Sequence, residues 1–385
     1  MDDTTPNKLT LQFTASGSEY FRTWTINLLL TVVTLGFYMP FAKVRRLRYF
    51  YANTLVGGQP LAFHGDPWKM LRGYVLMLVL FGGYALAGHF SPWLALGVFV
   101  LLALLWPALW RSSLRFRMHN TSWRGLRFGF AGSVADAYKA LLPLFVPSLV
   151  FLAANAWFLS DVDKEDEAAV NAALLAQTPW LLMGFGLLAV LTPLCLSLIK
   201  RYQHGGYRYA GQQGEFNAGA RPFYMLVLKA LGLMLLAFMA MGLLLGLAFW
   251  VFGAAFKPQG LAGGLVFGGV SLIAYVGVWS LLGAYFGARM QNLVWNATRS
   301  QSLIFSSHLH VRPLAALTCK NLLLMVVTLG VYRPFAVVNT TALRLQAVHI
   351  ELQGDIDTWQ AAGAQRTDAT TGEMAGDFFG IDVGL

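Results

Sequence analysis

Residues Asn27–Val44 read NLLLTVVTLGFYMPFAKV, and a near copy, NLLLMVVTLGVYRPFAVV, occupies Asn321–Val338. Each copy is an apolar run of helix length that stops at Thr-Leu-Gly and resumes after a Tyr and a Pro. Glycine destabilises a helix and proline removes a backbone donor, so each copy predicts a helix broken at one point. We expect these broken helices at about 24–41 and 314–335.

The composition of the whole chain indicates the class of protein. Hydrophobic residues make up 57% of the 385 residues, charged residues make up 12%, and the mean hydropathy is +0.56. Soluble domains carry about twice that charged fraction. Six stretches approach or exceed the roughly 20 apolar residues that cross a bilayer as a helix. These predicted spans are about 70–89, 92–110, 140–160, 179–199, 225–253 and 262–287. The sequence therefore predicts a polytopic α-helical membrane protein.

The distribution of the net charge of +10 predicts the orientation of these spans. Basic residues concentrate in alternate links, for example 69–72 and 111–127, whereas the intervening link 88–92 has neither Lys nor Arg. Because positively charged loops stay in the cytoplasm, we expect three transmembrane helical hairpins that enter from the cytoplasmic side. Both termini are then predicted to be cytoplasmic.

The broken helices do not fit a simple count of spans. If the first one crossed the membrane fully, the basic cluster that begins at Lys43 would lie outside, against the charge rule. A half-helix that enters, turns at Gly36-Phe37 and returns to the same face removes this conflict. We therefore expect two broken, re-entrant helices, with eight full spans as the open alternative.

A second repeated pattern lies between the apolar segments. Short alternating stretches, most of them with a Phe, precede an amphipathic entry into a span, and alternation of this kind is typical of a strand. The stretches are Leu9–Tyr20, Pro60–Trp68, Leu126–Asp136, Gly214–Phe223, Leu303–His310 and Val348–Trp359. We expect a strand-plus-span module used five or six times. Its cytoplasmic β-elements either pair in a shared sheet or serve as connectors. This predicts a single membrane domain over 1–360, followed by a flexible acidic tail, 361–385.

Three motifs together resemble a known family. They are FTASGSEYF at Phe13–Phe21, the first broken helix with its basic end at Asn27–Tyr49, and YANT at Tyr51–Thr54. This combination resembles the YjgN-like bacterial inner-membrane proteins, a family of unknown function. The resemblance implies a bacterial inner-membrane location and no activity. The second copy lacks the basic cluster, which puts a symmetric role of the two ends in doubt. Lys43, Arg45, Arg46 and Arg48 are replaced by Val337, Asn339, Thr340 and Ala342.

A search for chemistry finds no recognisable catalytic, nucleotide-binding or metal-binding motif in the sequence. No Asp or Glu lies inside an apolar span, which disfavours a proton-coupled pump. We therefore expect no enzymatic activity, no cofactor, no metal site and no nucleic-acid partner.

The candidate binding residues fall into two sets. The first set surrounds the two breaks, because interrupted helices in corresponding positions mark binding sites in transporters. It comprises Asn27, Thr34, Gly36, Tyr38, Pro40, Asn321, Thr328, Gly330, Tyr332 and Pro334. The second set is basic and is expected to bind anionic lipid at the cytoplasmic face. It comprises Lys43, Arg45, Arg46, Arg48, Arg115 and Arg117. For the paired Asn residues, capping of or hydrogen bonding to the neighbouring broken backbone is favoured over a ligand contact.

Two functions are compatible with these features. The first is a passive or facilitated pathway for a lipid or small solute, centred on the two broken helices. The alternative is a non-transporting membrane scaffold that binds anionic lipid or a protein partner through its basic cytoplasmic face.

Overall fold

The computed structural model describes residues 7–163, 165–252 and 260–354, so the predicted tail 361–385 lies outside the described residues. The described residues form ten helices. They are α1 (Gly17–Val33), α2 (Met39–Ala52), α3 (Pro67–Phe90), α4 (Pro92–His119), α5 (Val134–Leu159), α6 (Glu167–Gly206), α7 (Arg221–Phe252), α8 (Leu261–Asn296), α9 (Val311–Val327) and α10 (Arg333–Gln346).

Six of these helices, α3 to α8, are long and apolar enough to cross a membrane, which confirms the prediction of six apolar helices. They are longer than the predicted spans because polar residues cap them outside the apolar core. Helix α6, for example, begins at Glu167, where the Asp166 carboxylate accepts hydrogen bonds from the backbone N–H groups of Ala168 and Ala169. Such caps satisfy donors that a helix start leaves free.

Consecutive helices pair into five helical hairpins, and neighbouring hairpins contact one another around a ring. Side chains bridge these junctions. The contacts are Phe41–Trp68 between α2 and α3, Tyr138–Leu104 between α5 and α4, Tyr224–Val190 between α7 and α6, and Asn292–Leu309 between α8 and the residues just before α9. The rings of Phe21 and Phe335, 5.8 Å apart, close the circle between α1 and α10. The two short hairpins, which carry the repeated string, are therefore neighbours.

The connections at one end of the helices are short strands. They are β1 (Asn7–Leu9), β2 (Leu11–Phe13), β3 (Thr54–Val56), β4 (Gln59–Phe63), β5 (Thr121–Trp123), β6 (Leu126–Arg127), β7 (Gly129–Phe130), β8 (Tyr207–Tyr209), β9 (Gln212–Gln213), β10 (Glu215–Phe216), β11 (Thr298–Arg299), β12 (Leu303–Ser307) and β13 (Val348–Leu352). All six stretches that the sequence pattern identified as strands overlap at least one of them.

The strands form a closed antiparallel barrel. Three sheets, in the orders β2-β3-β4-β5-β6, β7-β8-β9 and β10-β11-β12-β13-β1, account for every strand. They join through single residues, because Phe128 links β6 to β7, Gly214 links β9 to β10, and Thr10 links β1 to β2. The circuit of pairing is therefore complete. Its closing contact is β1 with β13, with Lys8 opposite Glu351 and Leu9 opposite Ile350.

The barrel repeats one unit five times. In each unit a strand leads into a helical hairpin, and the strand that follows the hairpin pairs with the one that preceded it. The same backbone hydrogen bond marks the base of all five units. In each unit the backbone N–H of the residue after the first strand donates to the carbonyl of the residue just before the second strand. The pairs are Thr14 to Asn53 (3.0 Å), His64 to Asn120 (2.7 Å), Ala131 to Gly206 (2.7 Å), Asn217 to Ala297 (2.8 Å) and His308 to Ala347 (2.9 Å). Tight turns join four of the units to the next, and the β1–β13 pairing joins the fifth to the first.

An Asn-Thr pair occurs at the ends of two helices, as Asn53-Thr54 in YANT and as Asn120-Thr121. Each pair ends a helix and starts a strand. The side-chain amides of Asn53 and Asn120 donate to carbonyls of the last helical turn, each at 2.8 Å. The hydroxyls of Thr54 and Thr121 do the same, at 2.8 and 2.9 Å. Carbonyls at a helix end lack intrahelical partners, so these side chains stabilise the exit from the helix. The motif therefore has a structural explanation.

Candidate functional site

The breaks in the two short hairpins are turns with the same conformation. In the first hairpin Leu35 and Gly36 have positive φ (51° and 94°), and in the second Leu329 and Gly330 do (50° and 88°). The Gly36 N–H donates to the Thr31 carbonyl at 2.8 Å, and the Gly330 N–H makes the equivalent bond at 2.7 Å. A left-handed residue followed by glycine closes a helix C-terminus in this way. The chain then reverses, and α2 returns along α1.

A threonine in each turn links the two helices. The Thr34 hydroxyl donates to the Leu30 carbonyl (2.7 Å) and accepts from the Tyr38 backbone N–H (3.0 Å). The Thr328 hydroxyl makes the same pair of bonds, to the Leu324 carbonyl (2.6 Å) and from the Tyr332 N–H (3.0 Å). The remaining break residues, Pro40 and Pro334, are buried in the first turn of the second helix. The repeated string therefore satisfies its own backbone.

The paired asparagines are both buried but have different partners. The Asn27 side-chain oxygen accepts from the Arg45 guanidinium at 3.3 Å. The Asn321 amide donates to Thr340 Oγ1 at 3.2 Å and to the Ala336 carbonyl at 3.4 Å. In both cases the contact joins the two helices of one hairpin.

The basic set lies on α2 and α4, near the barrel. Arg48 donates to the Gly65 carbonyl at 3.1 Å, and Arg46 lies over the Phe50 ring at 5.7 Å. Arg117 lies in the last turn of α4, where a cation interacts favourably with the helix dipole. The remaining members lie on the same two helices: Lys43 and Arg45 on α2, and Arg115 on α4.

Inside the barrel is a chamber of about 650 Å³ that includes none of the candidate residues. Its wall is formed by strand residues, among them Leu61, Phe128 and Leu303, and by the last turns of four helices. The volume lies within the range of roughly 300–1,000 Å³ that is typical of small-molecule sites.

An apolar cluster fills the end of the chamber next to the strand turns. Trp123 and Tyr209, each beside a tight turn, are buried there with Leu352. Trp123 Nε1 donates to the Val56 carbonyl at 3.1 Å, and the Tyr209 hydroxyl donates to the Trp123 carbonyl at 2.8 Å. Burial raises the pKa of the Tyr209 phenol, because desolvation disfavours the phenolate. We call this cluster the aromatic plug.

The opposite end of the chamber, at the helix termini, is polar and basic. Arg344 of α10 lies there, and its Nε donates to Gln291 Oε1 at 2.8 Å. Gln291 is buried and donates in turn to the Arg344 carbonyl (2.9 Å) and to Ser307 Oγ (3.3 Å). Burial lowers the pKa of Arg344 from its ordinary value, because desolvation disfavours the charged form. We call Arg344 and Gln291 the arginine rim.

A buried histidine completes this end. His204 Nδ1 lies 2.9 Å from Thr298 Oγ1, and the same hydroxyl lies 2.7 Å from the Val294 carbonyl. A carbonyl can only accept, so the hydroxyl proton points to Val294 and the imidazole Nδ1–H donates to Thr298. His204 Nε2 is then the unprotonated nitrogen of the neutral ring. His204 also lines the chamber.

The charges around the chamber are of one sign. Three arginines line it: Arg208, Arg299 and Arg344. Arg299 is paired with Glu215, with its Nε 3.0 Å from Oε2. Among the described residues, no Asp or Glu lines the chamber itself. The chamber thus combines apolar walls with a net positive lining.

Sequence reasoning missed this chamber because no segment of it is unusual by itself. Its residues come from all five units, between Leu9 and Ile350. One signal was present in the sequence. Arg344 is the only Lys or Arg between Arg333 and the end of α10, whereas the same stretch of the first copy has four.

Comparisons with known proteins agree with the membrane fold and name no activity. A family model described as "Bacterial protein of unknown function (DUF898)" matches residues 8–378. "Inner membrane protein YjgN" of Salmonella typhimurium is 28% identical over 144 residues, which cover 37% of this chain and 36% of that protein. The protein of the same name in Escherichia coli strain K12 is 43% identical over 51 residues, 13% of each chain. The matched segments therefore cover well under two thirds of these relatives. No solved structure matches significantly.

Proposed function

The chain belongs to the DUF898 family of bacterial proteins of unknown function, and we propose that it is a non-enzymatic, passive or facilitated pathway for a lipid or small solute in the bacterial inner membrane. The observation that carries this proposal is the barrel chamber of about 650 Å³ at the base of the apolar helices. The names of the relatives support the location.

The proposed orientation places the barrel in the cytoplasm. Most basic residues of α2 and α4, together with Arg344 of α10, lie toward the barrel end of their helices, and the positive-inside rule assigns that end to the cytoplasm. In this orientation α3 to α8 form three transmembrane hairpins, and both ends of the described chain lie beside the barrel. The chamber then lies just below the membrane surface.

The short hairpins provide the proposed entrance from the bilayer. At 1.5 Å per residue, the 17 residues of α1 and the 14 of α2 extend only about 25 and 21 Å, less than the roughly 30 Å of the hydrocarbon core. The turn residues Leu35 and Leu329 are 89% and 93% exposed, as expected for tips that end in lipid. Because α1 and α10 are neighbours, the two short hairpins lie side by side. One side of the ring of helices therefore does not reach across the hydrocarbon core. We propose that cargo passes between the bilayer and the chamber there.

Reconstitution into liposomes tests this function. The assay measures how fast a fluorescent lipid of the inner leaflet becomes accessible to an aqueous quencher, and in parallel the release of a small encapsulated dye. We expect transfer above that of protein-free liposomes, and a several-fold decrease in Leu303→Trp, which narrows the chamber. Ile304→Trp is the matched control, since Ile304 is the next residue of β12, lies outside the chamber lining and is 39% exposed. Transfer equal to that of empty liposomes would contradict the proposal.

The alternative is a scaffold that binds anionic lipid through its basic face. Arg46 on the Phe50 ring and the cations of α4 favour it, since such clusters contribute about 1 kcal/mol per basic residue at an anionic surface. It predicts that charge reversal at Arg45, Arg46 and Arg48 changes lipid capture while nothing is transferred. Arg45 and Arg48 already donate to protein groups, so that variant needs a folding control.

A further inference from the structure

The chamber has two chemically different ends, and this polarity bears on what it could hold. Its walls and the end next to the strand turns are apolar, with Leu61 and Leu303 lining it together with members of the aromatic plug. Its helix end carries the arginine rim. A molecule that matches both ends has an apolar chain and a polar head.

The arginine rim is built to present a cation. Gln291 holds Arg344 at Nε, and Ser307 orients Gln291; Ser307 is itself only 1% exposed and donates to Asn292 Oδ1 at 2.8 Å. A guanidinium has five N–H donors, and Nε supplies one. The four N–H groups on its terminal nitrogens have no partner among the described residues. The network thus fixes the position of the group and leaves its fork of donors available.

The charge of Arg344 also has no counter-charge in the part of the chain that the structure describes. No carboxylate lines the chamber, and a second cation, Lys200 of α6, lies within electrostatic range of Arg344. The negative end of the α10 dipole balances only about half a charge. Placing cations together in a partly buried site is unfavourable unless an anion joins them. An anionic ligand would supply the missing charge.

We propose that the chamber binds a single-chain anionic amphiphile, with its head group on the terminal nitrogens of Arg344 and its chain along the apolar wall toward the aromatic plug. The head is a carboxylate or a phosphate, both of which fit the planar fork of an arginine. This inference names the cargo class of the proposed function and rests on it for its biological setting. The binding itself can be tested without transport.

The test is photo-crosslinking of the full chain in discs of neutral phosphatidylcholine. The probe is a palmitate with a diazirine near the end of its chain, and peptide mapping locates the label. We expect label on chamber residues of β4 and β12 and competition by both unlabelled palmitate and lysophosphatidylglycerol. The matched fatty alcohol has the same chain without the charge, so it should label the chamber at least about tenfold less, as expected for a lost hydrogen bond to a charged group.

Two variants separate ligand binding from folding. Arg344→Gln should reduce chamber labelling about tenfold or more, whereas Arg344→Lys should retain part of it. Arg289→Gln is the control, because Arg289 lies over the Tyr285 ring on α8, belongs to neither candidate binding set and does not line the chamber. If Arg344→Gln fails to fold, the labelling of the unmodified chain by palmitate and by the fatty alcohol is compared instead. Stronger chamber labelling by palmitate then supports recognition of the anionic head group.

Label confined to the lipid-facing helices, or chamber label that is equal for palmitate and the alcohol, would overturn the inference. Transfer of a neutral lipid without palmitate binding would leave the proposed function intact and remove only this ligand class. Palmitate binding without any transfer would support the ligand and contradict the pathway.

Discussion

The hairpins α1–α2 and α9–α10 share a turn and differ at the base. Across the turn, Leu35 and Gly36 match Leu329 and Gly330 in φ to within a few degrees, and the threonine bonds agree to about 0.1 Å. At the base, Phe50 of the first copy packs edge-on against Tyr20 with ring centres 4.9 Å apart. Arg344 occupies the corresponding position of the second copy and lines the chamber. The repeated string therefore specifies a backbone conformation, whereas the chemical difference between the two hairpins lies in the residues that follow the string.

The largest effect is expected from breaking the shared turn. Leucine at Gly36 or Gly330 would have to adopt φ near +90°, which costs about 1–3 kcal/mol per residue. The two losses should be similar, because a Cβ at Gly36 would make an ordinary 3.4 Å contact with the Tyr74 hydroxyl and Gly330 has open space. Thermal unfolding in detergent measures both losses, and the liposome assay should show that transfer is lost.

The control for the glycine variants is Gly232→Leu on α7, where a Cβ meets nothing within 4 Å and φ is not positive. This variant should match the unmodified protein. Full stability and full transfer in both turn variants would show that the breaks are dispensable.

A medium effect is expected from removing the threonine links. Thr34→Val and Thr328→Val keep the shape of the side chain and remove the hydroxyl that accepts the backbone N–H of Tyr38 or Tyr332 at the start of the second helix. Each variant should therefore lower the free energy of unfolding by about 1 kcal/mol. The two losses should be equal. Thr318→Val is the matched control, because Thr318 only donates to the Leu314 carbonyl of its own helix. Unequal losses in chemical denaturation would show that the two turns are not equivalent.

The smallest effect is the difference expected midway along the hairpins, where the two buried asparagines have different partners. Asn27→Ala removes the acceptor of Arg45 and should cost about 1 kcal/mol, the net contribution of a typical hydrogen bond. Asn321→Ala should cost less, because its bonds are longer than 3 Å to neutral groups and its buried Oδ1 has no partner among the described residues. Equal melting temperatures for the two variants would show that Asn27 and Asn321 contribute equally to stability, against this prediction.

The membrane class and the six apolar helices could be predicted because bilayer thickness dictates their length. The strands could be located because Phe63 and Phe130 alternate with small or polar neighbours just before the caps Asp66 and Ser133. Alternation reveals a strand but not its partner. The pairing of β1 with β13 joins residues more than 330 positions apart, so barrel closure could not be derived from local pattern.

The candidate site illustrates the same limit. The break residues attracted attention because Gly and Pro interrupt an apolar helix, and the structure shows what their backbone groups bind. Their role in transfer stays a prediction. Arg344 is ordinary in sequence and becomes distinctive only when Gln291 and Ser307, from another helix and a strand, fix it inside the chamber. Chambers assembled from distant segments leave little trace in any one of them.

The β1–β13 pairing also sets a schedule for biosynthesis. Residues 7–9 leave the ribosome first, and their partners, 350–352, are made more than 330 residues later. At about 5–20 residues per second, the first strand waits roughly 20–70 s for its neighbour. Until then the nascent sheet has two open edges, which are prone to wrong pairing and to recognition by chaperones and proteases. A chain that is cut before 348 can place all six long helices in the bilayer and still lack a closed barrel.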